Sequence, residues 1–297
     1  MSYRSYLTLC PLILLLIATT ALAGDLPEIR KNGVLRHLGV PYANFVNSKG
    51  EGLDVDMMRL FASDLGVRYE YVPTSWSTVF SDLTGLKYTV ENGHVLKTGK
   101  EEIKGDIIAN GLTILPWRKE LIDYSRPTFP TGIWVIAQAV SSLKPIQGSS
   151  SIDEDIEEVR GMLKGRQILT MTGTCLESSL YNLAETGAEI IVENPNEKTL
   201  DDMAPSVIEG NAELTLLDVP DALVALQIYP GEIKILGPLT KDQMMGCGFR
   251  KNSPLLREAF NKFFIKIAKE GTYRKLVEKH YPSVFVYLGD FFDSLQD

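Results

Sequence analysis

Residues 105–130 read GDIIANGLTILPWRKELIDYSRPTFP. The apolar run Ile107-Ile108-Ala109, closed by Asn110-Gly111, has the pattern of a short buried strand that ends where the backbone approaches something closely, an approach that glycine permits. Thr113 then offers a hydroxyl, Pro116 stiffens the turn, and Trp117-Arg118 sets a guanidinium a few residues beyond the strand end. These are anion-binding groups. Arginine carries a planar fork of donors that matches a carboxylate two to two, and a hydroxyl with free backbone N–H groups can take the remaining lone pairs. An ordinary surface loop with an isolated arginine fits the same residues, so the surroundings have to decide.

Upstream, residues 33–40 predict a strand running into a Pro41-Tyr42 loop, residues 53–65 a helix stopped by Gly66, and residues 67–72 an alternating strand. This β-α-β opening implies a parallel sheet with helices packed on it, and ligands of such sheets gather at the carboxyl ends of strands. Trp76 follows the second strand, ahead of a helix expected over 77–83, where it serves either the core or a pocket wall. The polar segment 84–104 contains a hairpin pattern over 88–96 with Asn92-Gly93 at its turn. After the opening stretch, residues 132–139 read as a strong strand. A segment rich in Ser, Pro and Gly follows at 141–151, which places a boundary between lobes near residue 138.

A second α/β series then predicts strands at 167–171, 189–192, 214–217 and 233–236, with helices at 176–184, 199–209 and 221–227. The chain returns to a sheet at 244–249. Residues 254–270 form a strongly amphipathic helix with a Ser253 cap and a Gly271 stop, and 273–280 a shorter one. The aromatic tail from Tyr281 is expected to latch onto the body.

The chain has 297 residues, 44% hydrophobic and 23% charged, which are the proportions of an ordinary globular protein with room for one large or two medium domains. Its net charge of −8 argues against nucleic acid as a partner. Residues 1–23 read as a secretory signal, with Arg4, an apolar run from Leu7 and a cleavage site at Ala21-Leu22-Ala23. Cys10 lies inside that leader. Cys175 and Cys247 remain in the exported protein, where a disulfide between them is permitted but not implied. His37, His94 and His280 are scattered without metal-ligand spacing, so neither a metal site nor a cofactor is expected.

The order of elements and the strand-end residues together resemble the periplasmic solute-binding proteins of the amino-acid-binding type, bacterial extracellular solute-binding family 3. The likeness rests on Asp106, Gly111-Leu112-Thr113-Ile114, Arg118, Asp123-Tyr124-Ser125 and Pro127, on Gly52 to Asp56, and on Glu270-Gly271-Thr272-Tyr273. It implies an α/β, two-lobe periplasmic-binding-protein fold, each lobe a mainly parallel sheet flanked by helices, joined by a two-strand hinge near 137–140 and 240–244. The lobes would comprise residues 24–137 with 243–297, and residues 138–242.

Carried over, the resemblance implies that Asn110, Gly111, Thr113 and Arg118 hold a ligand carboxylate. Thr174 and Cys175 face it from the second lobe, Asp218 accepts an ammonium group, and Tyr42 with Trp76 sandwiches the aliphatic part. The chain departs from the family at Met171, Cys175 and Val40-Pro41, which weakens the ammonium site, and in the 84–104 insertion. The implied function is periplasmic capture of a small carboxylate-bearing solute, an amino acid or relative, by a monomer that delivers it to the permease of an ABC importer, with no catalytic residues and no enzymatic activity. Two alternatives share the fold. One is a sensing or cell-wall-associated interaction module, because Lys279-His280-Tyr281-Pro282 and the aromatic tail look like the regulatory domain of membrane-bound lytic transglycosylases, with no catalytic domain expected after Asp297. The other is a dehydratase-like enzyme using Asp218 or Glu177 as general acid or base.

Overall fold

The computed structural model describes residues 24–91 and 93–296. The expected leader at 1–23, with Cys10, and Asn92 of the expected hairpin turn lie outside the described residues.

The opening β-α-β unit forms as the periodicity predicts. Strand Val34–Gly39 pairs in parallel with Arg68–Pro73, in register from Val34↔Arg68 to Gly39↔Pro73. Between them, helix Leu53–Leu65 turns Leu53, Met57, Met58 and Phe61 into the core and ends at Gly66, whose φ of 72° lets its N–H cap the last turn. The first sheet has the order Arg68–Pro73, Val34–Gly39, Ile107–Ile108, Gly248–Arg250, Ile122–Tyr124. Gly248–Arg250 runs antiparallel to both of its neighbours. Asp106, immediately before Ile107–Ile108, is buried. Arg36 donates to both of its carboxylate oxygens, from Nε at 3.1 Å and Nη2 at 2.9 Å, and Arg250 Nη2 approaches at 3.4 Å. This residue of the opening stretch therefore anchors the sheet.

The second sheet has the order Glu189–Glu193, Gln167–Met171, Leu214–Asp218, Ile133–Gln138, Ile233–Pro238. The first three are parallel and Ile133–Gln138 is antiparallel to the strands on either side. Each five-stranded sheet is flanked by helices, so the molecule has two lobes. Where the chain passes between them, Phe129–Thr131 pairs antiparallel with Gln243–Met245. Ile133–Gln138 lies wholly within the second sheet, so the expected boundary at 137/138 falls inside a strand. We place the outward crossing at Thr131–Gly132 and the return crossing just before Gln243.

Three elements differ from their sequence patterns. The hairpin is longer than 88–96, with strands Leu86–Glu91 and His94–Lys100. It packs through Tyr88, whose ring lies 6.4 Å from Phe80 and 6.3 Å from Trp117. The helix expected over 176–184 is replaced by two 3₁₀ turns, Ser178–Tyr181 and Leu183–Thr186. Glu177 is extended and accepts the Gly173 N–H at 3.0 Å, while Asn182 at φ 49° breaks the helical path between the turns. The helix expected over 199–209 starts as a 3₁₀ turn, Leu200–Asp202, and continues as Met203–Ile208, which keeps Pro205 in a first turn where no N–H is required.

The helix Pro254–Lys269 buries Leu256, Phe260, Phe263, Phe264 and Ile267 along one stripe. The tail forms helix Val284–Ser294, kinked at Leu288. Its Phe292 meets Phe129 at 5.2 Å and its Tyr287 meets Trp134 of the second sheet at 5.9 Å. It thus touches the chain on both sides of the outward crossing. No helix among the described residues is long and apolar enough to cross a membrane.

Candidate functional site

Between the lobes, the strand ends bring together the residues of the opening stretch. Arg118 begins the short helix Arg118–Leu121 and is fully buried. Its guanidinium lies over three rings, 5.4 Å from Trp76, 5.5 Å from Phe80 and 5.3 Å from Trp117. One terminal nitrogen, Nη1, donates to the Thr113 carbonyl at 3.0 Å. The opposite edge, Nε and Nη2, has no hydrogen-bond partner, and neither do Thr113 Oγ1, Trp76 Nε1 or either amide atom of Asn110. Buried polar groups are almost always paired, because an unpaired one costs about 1–3 kcal/mol. Unpaired donors on a buried guanidinium and on side chains of the same stretch are groups suited to an anion. The Nε/Nη2 edge in particular presents two parallel N–H groups of the spacing a carboxylate takes.

The facing lobe supplies Asp218, at the end of strand Leu214–Asp218 and the N-cap of helix Val219–Ile228. It is fully buried and already surrounded by donors. Tyr42 Oη donates to Oδ2 at 2.6 Å across the cleft, Cys175 Sγ donates to the same oxygen at 3.0 Å, and Thr131 Oγ1 donates to Oδ1 at 3.3 Å. Burial raises the Asp218 pKa, opposed by these hydrogen bonds and by the Arg118 charge. Burial also pushes the Cys175 thiol well above its usual range, and Asp218 pushes it further, so it sits there as a neutral donor.

Several expectations are corrected by these contacts. Gly111 does reach a left-handed φ of 63°, and a Cβ there would fall 2.4 Å from the Phe45 ring. Its N–H, however, donates to Asp54 Oδ2 at 2.7 Å and does not face the cleft for a ligand. Thr174 spends its hydroxyl inside its own loop, donating to Met171 O at 2.9 Å and accepting from Leu176 N at 3.0 Å. Tyr42 and Trp76 meet edge to face, at 6.1 Å and 75°, forming one corner and not two parallel walls. Glu177 accepts from Gly173 N and Ser179 Oγ, which ties it into its loop and away from acid-base work.

Other residues hold the site without having been singled out by the sequence. Asp54 is pushed up to about 7 by burial, partly offset by the Gly111 N–H. His37 bonds Tyr69 Oη through Nδ1 at 2.9 Å and the Ala109 carbonyl through Nε2 at 2.6 Å, which fixes the backbone next to Asn110. Burial lowers its pKa to about 4, so near neutrality the ring is uncharged, with Nε2–H donating. Gln243, on the return crossing, adds an unpaired Oε1. The signal for Asp54 was present, in the Gly52 to Asp56 motif; those for Thr131 and Gln243 were not, because crossing strands have no distinctive composition. Cys175 and Cys247 are both free and buried. Among the described residues no group of three or more His, Cys, Asp or Glu is arranged to hold a metal ion.

Residues 96–283 match the family described as bacterial extracellular solute-binding proteins, family 3. Among curated proteins, a membrane-bound lytic murein transglycosylase F of Photobacterium profundum is 26% identical over 264 residues, covering 88% of this chain and 46% of that protein. The protein of the same name from Desulfosudis oleivorans is 24% identical over 233 residues, covering 78% and 44%. The chain thus spans about half the length of the curated relatives it matches. Among solved structures, an ancestral amino acid-binding protein described as a precursor of cyclohexadienyl dehydratase superposes with a TM-score of 0.64 at 25% identity, covering 86% of this chain and 98% of that one. Holo ArgBP from T. maritima gives a TM-score of 0.62 at 22% identity, covering 85% and 98%. The expectation that the chain is not an enzyme is corrected by the curated relatives, which carry an enzyme's name.

Proposed function

We propose, on the premise that this chain belongs to the bacterial extracellular solute-binding proteins, family 3, that its cleft captures a small carboxylate-bearing solute, an amino acid or a relative of one. The observation that carries this reading is the unpaired Nε/Nη2 edge of the fully buried Arg118, with Thr113 Oγ1, Trp76 Nε1 and the Asn110 amide also unpaired. A carboxylate would satisfy the guanidinium edge while the three aromatic rings behind it hold the fork in place. At the other end the side chains that donate to Asp218 are all neutral, so an ammonium group would meet a carboxylate that no cationic side chain touches. The groups assigned to the ligand are Asn110, Thr113, Arg118 and Trp76 for its anionic end, and Asp218 with Tyr42 and Cys175 for the opposite end.

The solute-binding family supports delivery to a membrane permease of an ABC importer as the purpose of capture, by a monomer working in the periplasm after removal of residues 1–23. N-terminal sequencing of the exported protein tests the last point, with Gly24 expected first. A second reading is favoured by the curated relatives: capture would inform murein turnover and not import. Calorimetry with a panel of amino acids and organic acids tests the common core of both, and heat from no carboxylate at all would end it. Uptake of the best ligand by cells lacking the chain separates the two, because import predicts lost uptake and a murein role predicts uptake as before.

A further inference from the structure

A cavity with walls from both lobes does not include Arg118 in its lining, and its chemistry is of the opposite sign. It has a volume of about 140 Å³ and is bounded by Ala43 and Asn44 of the first lobe, and by Asp201, Asp221 and the apolar face of helix Val219–Ile228 from the second. Asp221 is 5% exposed, yet its Oδ2 has no hydrogen-bond partner. An acidic residue in a helix's first turn normally earns its place by sitting in water near the N-terminal dipole. This one is buried with an unpaired oxygen, an arrangement that costs free energy unless something fills it. Asp201 stands beside it and accepts the Ala43 N–H at 3.1 Å, a contact that crosses from lobe to lobe.

We propose that this cavity is a binding site for a small organic cation, a primary ammonium or guanidinium on a short apolar stem. The cationic head would lie against Asp221 and Asp201, and the stem along Ala204, Val224 and Ala225. The residues that line the cavity include no Lys, Arg or His, so no basic side chain there pairs with the two acids. Burial, with Asp201 and Asp218 nearby, pushes Asp221 well above the usual carboxylate range, and burial raises Asp201 as well, so Asp221 holds its proton until an entering cation displaces it. Tyr42 and Tyr281 also stand near Asp221, both shifted upward by burial and so neutral, and Tyr229 lines the cavity. A volume near 140 Å³ suits a group about the size of benzene, which fills an engineered cavity of about 150 Å³. Four carbons and a nitrogen fall in that range.

Because the cavity has walls from both lobes, its occupant binds the closed arrangement better than the open one. By linkage, it raises affinity for any solute that also needs closure. Arg118 is not among the cavity's walls, so in the absence of a carboxylate solute the occupant binds without it.

Titration with butylammonium chloride, followed by calorimetry, tests the proposal. The full chain is expected to bind it saturably, and 1-butanol, which has the same stem and no charge, is expected not to bind. Asp221→Asn should weaken butylammonium at least tenfold while the protein still melts cooperatively. Ala225→Leu, which fills the cavity without touching a charge, should do the same. With no carboxylate solute present, Arg118→Ala should leave butylammonium binding unchanged, which separates this site from the anion site. The proposal is overturned if butylammonium does not bind the full chain, if 1-butanol binds equally well, or if Asp221→Asn and Ala225→Leu both bind as the unmodified protein does.

Discussion

The two ends of the cleft are equally buried and differ in what their polar groups have left to give. At the Arg118 end, the guanidinium is held by one carbonyl and three rings, and its outward edge is unpaired, as are Thr113 Oγ1 and the Asn110 amide. At the Asp218 end, every carboxylate oxygen already has a donor. An end that keeps its donors free is organised for a ligand before the ligand arrives. An end whose oxygens already have donors also ties the lobes together, since Tyr42 comes from one lobe and Asp218 from the other. Strand-end positions thus differ in what they leave free: unpaired donors in one lobe, and in the other a carboxylate already bonded across to the first.

Removing the free end tests this division most severely. Arg118→Ala would delete two charge-assisted hydrogen bonds worth about 1.5–3 kcal/mol each, so affinity for the best carboxylate in the panel should fall roughly 10²- to 10⁴-fold. Arg118→Lys keeps the charge and loses the fork, and should recover little of that loss. If the lysine variant bound normally, charge alone would be doing the recognising and the Nε/Nη2 geometry would be irrelevant.

His37 sharpens the comparison from behind the free end, because it fixes the Ala109 carbonyl beside Asn110. Its pKa falls from 6.5 to about 4 on folding. Between those values the unfolded chain binds a proton that the folded chain refuses, so this residue makes stability rise with pH across that window. The full contribution is about 3 kcal/mol at about 1.36 kcal/mol per pH unit. Asp54, raised to about 7, acts with the opposite sign: the folded chain holds its proton longer, and stability falls as pH rises from about 4 towards 7. The two effects overlap, so the measurement is a difference. Denaturant unfolding of His37→Gln against the unmodified protein should show the rise between pH 4 and 6.5 missing from the variant. A variant with the same slope would mean that His37 is protonated in the folded state and that Ala109 is held differently.

The saturated end is broken by Tyr42→Phe, which removes one donor from a buried carboxylate and one bond between the lobes. The expected loss is about 1–3 kcal/mol of stability. In small-angle scattering the variant should populate a more open form, and ligand affinity should fall through lost closure while the Arg118 contacts stay intact. Unchanged scattering with lower stability would assign Tyr42 to packing against Phe45 and Trp76 and not to closure.

Much of the site was readable because the free end is local. Asn110, Thr113 and Arg118 lie on one stretch of chain, and the strand-turn-guanidinium pattern is visible without knowing what packs behind it. The β-α-β opening was readable for the same reason, since alternating and helical periodicities are properties of short windows. The saturated end was not, because its meaning depends on long-range partners. Nothing near Asp218 in the sequence announces that Tyr42 and Thr131 will donate to it, and a carboxylate that looks free on paper is spoken for in the fold. Thr174 and Gly111 misled in the same way: each is of the right type, but a nearer acceptor takes the proton first. The lost helix after Cys175 has a similar origin, since one side chain, Glu177, prefers the Gly173 N–H to a helical first turn.

The smallest expected effect concerns Cys175, and it distinguishes two reasons for a thiol at that position. If Sγ matters as a donor to Asp218, Cys175→Ser preserves the interaction with a stronger donor, and stability and affinity should move by no more than about 1 kcal/mol. Cys175→Val keeps an apolar side chain of nearly the same size and removes the donor, leaving Tyr42 alone on Oδ2; it should cost more than the serine variant. If the thiol matters only as buried apolar volume, the order reverses, because serine places a smaller and more polar group in a site that is 3% exposed. Thermal unfolding of the pair gives the order directly. Valine below serine keeps Cys175 in the saturated carboxylate network, and serine below valine removes it from that network and leaves Asp218 with one fewer donor than the geometry implies.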